Sequence, residues 1–278
     1  MWYVPLSLRL SLPPAYSTLA HRWLYDIPGI LHRDLSPTNI MCRRKMEMNT
    51  RGEQEEKVYG VLTDYDLSSW KEKLKSGYTR TSQQRTGTPP YMAQELLQGA
   101  SPTHLYRHDV ESLFYIMLLL GARHTFGLDT DGNVQVVMRE GLPPYQKWFD
   151  TQDYDTLGNN KSSFFLRSKP IELSPDFEDF RPWLEGLQGN FSQGFHKLSG
   201  HEIEQALRKR KPTGGSAGGV TSASASFDYE TLGGHVDYST IIESTRDLTG
   251  QLEGLVVRYD PTLPTPASAV QPDARAGS

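Results

Sequence analysis

Three residues stand out for the chemistry their types and spacing allow: Asp34, Asn39 five residues further on, and Asp64. A carboxylate, an amide and a second carboxylate converge on one point if the apolar stretches that follow Asn39 and precede Asp64 pair as a hairpin. Such a cluster suits phosphoryl transfer. That reaction needs an acceptor for the proton of the attacking hydroxyl and hard oxygen ligands for Mg2+, because the charge on the phosphate oxygens must be neutralised. Asp34 fits the first role, and Asn39 with Asp64 the second. Taken singly, each residue has a plainer reading. An Asp after Arg commonly shapes a turn, Asn39 can close that turn, and Asp64-Tyr65-Asp66 is an ordinary strand end. Their order and joint spacing favour the catalytic reading.

Apolar periodicity supplies the elements that must position them. Tyr16, Leu19, Trp23 and Leu24 predict a helix over Pro14–Asp26, stopped by Pro28-Gly29. Ile30-Leu31 leads into His32-Arg33-Asp34. Strands are expected at Asn39–Cys42 and Val58–Thr63, and the stretch Arg43–Lys57, with five basic and four acidic residues, reads as the solvated tip of their hairpin. Helices follow at Ala93–Gln98 and Asp109–Leu120, the second so apolar around its girth that it must be central and buried. Gly121–Asn160 reads as mostly irregular, and further helices are expected at Phe177–Gln188, Gln193–Lys211 and Asp237–Val256. The organisation is an irregular segment at 1–13, one folded unit at 14–260 interrupted by a flexible Gly/Ser/Ala/Thr-rich insertion at 212–226, and a disordered Pro/Ala-rich tail at 261–278. No internal repeat is apparent.

Composition excludes little but bounds the class. The 278 residues suffice for a sizeable core, and 33 acidic against 29 basic residues, a net charge of -4, propose neither a nucleic-acid nor an anionic-membrane partner. The lone Cys42 excludes an internal disulfide framework and agrees with a reducing, intracellular compartment, cytoplasm or nucleus. The longest apolar run, Leu113–Ala122, is about half of the ~20 residues a membrane helix needs. Met1–Leu12 is apolar, but it lacks a basic leader and is broken by Pro5 and Arg9, which argues against a signal peptide.

Four motifs in order carry a resemblance. His32-Arg33-Asp34 with Asn39 is similar to the catalytic loop of protein kinases, and Asp64-Tyr65-Asp66 stands where they carry Asp-Phe-Gly. Arg85–Glu95 resembles the end of their activation segment, with Ala93-Gln94-Glu95 in place of Ala-Pro-Glu. Arg107-His108-Asp109-Val110-Glu111-Ser112 resembles the start of their central helix. Ser36-Pro37 after the catalytic Asp, the Asp-aromatic-Asp motif and the Arg-His-Asp-x-Glu-Ser helix start are closest to the fungal-type protein kinases. The resemblance is strong over Leu31–Gly121.

It implies an α+β, mainly α fold, the kinase C-terminal lobe with a short β-hairpin at the catalytic loop and the N-terminal lobe absent. It also implies ATP and Mg2+ as cofactors and a protein substrate. Asp34 would be the catalytic proton acceptor, Asn39 and Asp64 the metal ligands, and Asp66 an accessory metal ligand. His32, Arg33 and Asp109 would be catalytic-loop scaffold, and Thr88 and Glu95 parts of the substrate loop and activation segment, with a Ser/Thr acceptor favoured. Thr79, Thr81 and Ser82 fall where phosphorylation would dock on Arg33, an unmodified mobile loop being the equal alternative.

The departures matter as much. Ser36 stands where Ser/Thr kinases usually place Lys, Asp66 replaces Gly and Gln94 replaces Pro. About thirty residues precede His32, without a Gly-rich phosphate loop or a Val-Ala-x-Lys strand. A fragment, a truncated gene model, and a divergent relative that works with a partner chain all account for this. The leading expectation is a Ser/Thr-type protein kinase that is weak or inactive as this chain. The alternatives are a pseudokinase or interaction scaffold, favoured by the missing Lys and Gly-rich loop, and a small-molecule phosphotransferase of the aminoglycoside type, disfavoured by the segment Thr86–Glu95.

Overall fold

The computed structural model describes residues 20–49, 51–72, 87–101, 103–131, 134–210 and 227–241. The expected segment 1–13, insertion at 212–226 and tail at 261–278, together with Thr79, Thr81, Ser82 and Arg85-Thr86, lie outside the described residues. So do 14–19 of the first predicted helix and 242–256 of the last.

Among the described residues the chain is mainly helical, with three small two-stranded sheets. Helix α1 (20–26) ends before Pro28-Gly29, and β1 (Ile30–Leu31) pairs antiparallel with β4 (Ser69–Trp70), Ile30 opposite Trp70. Between them, β2 (Ile40–Met48) and β3 (Gln54–Leu62) form a hairpin in register from Ile40 opposite Leu62 to Met48 opposite Gln54. The expected pairing is present, but the ladder runs on through the charged stretch read as a loose tip. Asn49 makes the tight reversal, its Oδ1 accepting the N–H groups of Arg51 and Glu53 at 2.9 Å each. A ribbon open to water needs no apolar alternation, so its sequence resembles a loop.

Helices α2 (Gln94–Leu97) and α3 (Tyr106–Arg123) follow. Every residue of α3 except Leu120 is buried, as its all-round apolarity demands. The region expected to be irregular is instead structured: strands β5 (His124–Leu128) and β6 (Val134–Met138) pair, and α4 (Lys147–Asp150) and α5 (Tyr154–Leu166) follow. Asp153 caps α5 by accepting the Thr156 N–H, and Leu157, Gly158, Lys161, Phe164 and Phe165 make its buried stripe. Gly158 and Lys161 within that stripe hide its amphipathic period. A short turn of 3-10 helix (Pro175–Phe180) then opens α6 (Arg181–Arg210), a single helix where two were expected.

Among the described residues, two apolar clusters form the core. The large one gathers the aromatic side chains of α3, α5 and α6, including Phe114, Tyr115, Phe164, Phe165, Phe191 and Phe195. The small one, Leu35, Leu62, Leu113 and Ile116, lies directly beneath the candidate site. Leu35 follows Asp34 and Leu62 precedes Thr63-Asp64, so both site loops are pinned to α3 by a neighbouring leucine. Fully burying each leucine contributes about 1.5–3 kcal/mol.

Candidate active site

The loop from His32 to Asn39 is held by its own backbone polarity. Asn39 Nδ2 donates to the Asp34 carbonyl at 2.8 Å, and the Asn39 N–H donates to the Ser36 carbonyl at 3.0 Å in the single 3-10 turn Pro37–Asn39. Ser36 is buried and shares a 2.8 Å hydrogen bond with the Thr38 hydroxyl, so it points into the turn. The Thr63 N–H donates to the Asn39 carbonyl at 3.0 Å, and His32 Nε2 donates to the Thr63 carbonyl at 2.9 Å. Asp34, Asn39 and Asp64 are thereby tied together through adjacent residues. The His32 ring is buried and packs on Tyr65, with centroids 5.0 Å apart. Asp64 and Asp66 are exposed, and the Asp66 N–H lies 3.5 Å from Asp64 Oδ1.

Asp109, at the N-terminal end of α3, is the fixed point beneath this loop. Its Oδ1 accepts from His104 Nε2 at 2.7 Å and the Arg33 N–H at 3.1 Å; its Oδ2 accepts from His21 Nε2 at 2.8 Å and the His32 N–H at 2.9 Å. Burial opposes the Asp109 charge, but the two histidines outweigh it and hold the carboxyl well below its ordinary value. Tyr238 meets Nδ1 of His21 at 2.6 Å. The segment 227–241 therefore supports the loop from behind. The anchor has a backbone consequence, because Arg33 (φ 73) and Asp64 (φ 61) are left-handed although neither is glycine. Such a conformation costs on the order of 1 kcal/mol or more and persists where surroundings impose it. At Arg33 the surroundings are the Asp109 carboxylate. In the Asp64-Tyr65-Asp66 turn the left-handed step falls on Asp64, a residue type that tolerates it.

The third wall is the segment Gly87–Gln94. Gly87 has φ 126, and a Cβ there would meet Met92 Cγ at 2.8 Å, so the tight approach requires glycine. Beside it, the Thr88 hydroxyl lies 3.4 Å from Asp34 Oδ1, a long, weak contact. Glu95 closes the segment by pairing with Arg107, whose Nε donates to the Tyr229 carbonyl at 2.6 Å. Burial pushes the Glu95 carboxyl up, but His108 and Arg107 outweigh it and bring it down to about 2. His108, whose Nδ1 accepts the Leu105 N–H, is brought down to about 3 by burial and by Arg107.

Behind the segment lie Lys161, which no motif singled out, and Glu111, which the Arg-His-Asp-x-Glu-Ser match contains without assigning it a role. Lys161 of α5 is fully buried, donates to the carbonyls of Pro89, Pro90 and Met92 at 3.4, 2.9 and 2.6 Å, and sits 3.8 Å over the Tyr115 ring. Glu111, likewise buried, accepts the Gln94 N–H at 2.8 Å and the Tyr115 hydroxyl at 2.6 Å. Burial lifts its carboxyl to about 7, against the pull of Tyr115, Gln94 and Lys161. A helical period with a charged residue inside the apolar stripe was the one available signal for Lys161. For His21 and Tyr238 the sequence offered none.

Among the described residues, no group of three or more His, Cys, Asp or Glu side chains is placed to hold a metal, and no helix is long and apolar enough to cross a membrane.

Residues 17–120 match the model of the fungal protein kinase family, a span that contains the motif residues from His32 to Asp109. The chain is also 27% identical over 128 residues to serine/threonine-protein kinase CHK1 of Saccharomyces cerevisiae, across 41% of this chain and 22% of the yeast protein. It thus spans less than a quarter of the length of that relative. Over its segment 17–120 the chain is similar to the fungal-type protein kinases.

Proposed function

We propose that this chain supplies the catalytic and substrate-facing half of an intracellular Ser/Thr-type protein kinase that transfers the γ-phosphoryl group of ATP to a protein hydroxyl. The observation that carries the reading is the hydrogen-bonded run Asp34–Asn39–Thr63, which gathers a carboxylate, an amide and the exposed Asp64 while Thr88 flanks Asp34. Asp34 takes the proton of the acceptor hydroxyl. The donor set suits Mg2+, which commonly takes one or two protein ligands and completes its shell with phosphates and water. Asn39 Oδ1, whose nearest partner is the Thr38 hydroxyl at 3.4 Å, and the exposed Asp64 carboxylate would hold it, with Asp66 accessory. Bound there, Mg2+ supplies charge neutralisation to the phosphates.

A second reading, a pseudokinase scaffold, is favoured by Ser36, which is buried and bonded to Thr38 where Ser/Thr kinases usually present a cation. The residues before His32 hold no Gly-rich phosphate loop and no Val-Ala-x-Lys strand, so this chain assayed by itself is expected to bind Mg-ATP weakly and to turn over little. The test is phosphate transfer to a generic Ser/Thr protein substrate, by this chain and by the same chain joined to an ATP-binding lobe of the family. Asp34→Asn in the joined form should lower turnover by roughly 10²-fold or more. Activity indifferent to Asp34→Asn would remove the mechanism, and robust transfer by the 278-residue chain would overturn the need for a second lobe.

A further inference from the structure

We propose that Lys161 is a positioning residue: its buried ammonium organises the carbonyls of Pro89, Pro90 and Met92 and so sets the segment that the protein acceptor lies against. The proposal rests on the reading of Gly87–Gln94 as the substrate-facing segment. Its own support is geometric. Three acceptors from one four-residue stretch converge on one Nζ at 2.6–3.4 Å. An ammonium carries three N–H donors and a neutral amine only two, so the full set is met by the charged form alone.

Tyr91 and Met92 pack their side chains against the core, but the backbone of the stretch has few other polar ties to it. Pro89 and Pro90 carry no N–H, and the N–H groups of Tyr91 and Met92 turn back onto Thr88 and Pro89 within the same 3-10 turn. The turn is thus internally bonded but joined to the body through its carbonyls. The joint itself is rigid. Three residues earlier on the same face of α5, a Cβ on Gly158 would meet Gln98 Cγ at 2.6 Å and the Gln94 carbonyl at 3.2 Å, so α5 lies against α2 with no room for adjustment. The cation also lies over Tyr115, whose hydroxyl donates to Glu111, and Glu111 accepts the Gln94 N–H. Lys161 and Glu111 therefore hold the two ends of one segment, by its carbonyls at 89–92 and by its N–H at 94. Burial holds the Lys161 pKa well below its ordinary value with Glu111 opposing, so it is the three converging carbonyls and the Tyr115 face that favour the ammonium.

Lys161 is wholly buried, so it reaches the acceptor only through the segment. Its removal should act on the protein acceptor and leave Mg-ATP alone. Amide hydrogen exchange on the full chain at single-residue resolution reads the positioning directly. In Lys161→Met, exchange at Tyr91 and Met92 should accelerate about tenfold or more, while amides in the core of α6 stay at their original rates. Lys161→Arg, which keeps the cation, should recover most of the protection. In the chain joined to an ATP-binding lobe, Lys161→Met should raise KM for the protein acceptor about tenfold or more and move KM for Mg-ATP less than about twofold. Equal acceleration in α6 and at Tyr91 and Met92, unchanged exchange at those two amides, or equal effects on both KM values would overturn the proposal. If Lys161→Met does not fold, Lys161→Gln takes its place, and failure of both assigns Lys161 to the core alone. Asp34→Asn separates the two readings. If transfer is absent or ignores Asp34→Asn, the kinase mechanism falls, and the exchange data still judge Lys161 by themselves.

Discussion

Replacing Asp109 by Asn changes one buried atom and tests the anchor of the His32–Asn39 loop. The carboxylate accepts four hydrogen bonds in two pairs, His104 and Arg33 on Oδ1, His21 and His32 on Oδ2. An amide keeps one oxygen, so it can serve one pair, and its NH2 must face the donors of the other. Placing the NH2 at the Oδ2 position would break the shorter backbone bond, His32 at 2.9 Å against Arg33 at 3.1 Å, and force the Tyr238 hydroxyl to reverse from donor to acceptor at His21 Nδ1, so the oxygen should stay on the His21–His32 side. His104 can then change tautomer, but the Arg33 N–H has no such recourse and is left buried against a donor. Two charge-assisted hydrogen bonds are lost, at about 1.5–3 kcal/mol each. Relief of the desolvation that opposes the Asp109 charge offsets part of this, which leaves about 2–5 kcal/mol. At about 2–4 °C per kcal/mol for a chain of this size, the melting temperature should fall by roughly 5–15 °C. Thermal unfolding followed by circular dichroism at pH 7 measures this, and amide exchange at Arg33 should rise further than at His32. A shift below about 2 °C, or equal exchange at the two amides, would refute the pairing argument.

Leu113 is 3% exposed against Leu35, Leu62 and Ile116. Leu113→Asp places an unpaired charge there at a cost of at least several kcal/mol, so a soluble protein with a cooperative melt would contradict the core assignment. The pH dependence has two signs. Glu111 has a folded pKa of about 7 against an ordinary 4.5, so its share of stability is present below about 4.5 and is lost as pH rises through 7. Glu111→Gln should remove that slope, worth at most about 3 kcal/mol, from denaturant midpoints measured between pH 4.5 and 8. His108 runs the other way. Its folded pKa of about 3 against 6.5 makes stability fall as pH drops below 6.5, and a His108→Gln variant with the same acid slope as the parent would refute its part.

The buried helix α3 was legible because no face of Leu113–Leu120 is polar enough for water. The pairing of the two strands around the candidate site was legible because apolar runs after Asn39 and before Thr63 have few other partners. The extent of that hairpin was not, since Arg43, Lys45, Met46 and Met48 are all exposed and impose no alternation. Helix α5 was hidden by Gly158 and Lys161, which occupy its buried stripe for tertiary reasons: one lets α2 approach, the other meets three carbonyls. The separate helices expected across 177–211 merged because packing on the core overrides Gly189 and Gly194. At Gly194 a side chain would strike Leu232 at 2.6 Å, so that glycine reflects the approach of a distant segment. At the site, the chemistry-bearing types could be read from spacing. Their supports, His21 and Tyr238, could not, because hydrogen bonds across 88 and 217 residues of sequence leave no local trace.

Those long spans carry a kinetic consequence. Tyr106 meets the Val236 carbonyl, Tyr25 meets Glu230 and Tyr238 meets His21, across sequence separations of 130, 205 and 217 residues. Contacts this remote close only after the loop entropy between them has been overcome, and topologies dominated by them fold slowly. On a ribosome, the polypeptide through α3 can collapse around Phe114 and Tyr115 long before residue 238 is synthesised. The His21 ring must wait for its hydroxyl partner until that point. The His32–Asn39 loop is therefore among the last parts to reach its final geometry during synthesis, and a nascent chain released before residue 241 would hold Asp34 in a loop whose rear support never arrives.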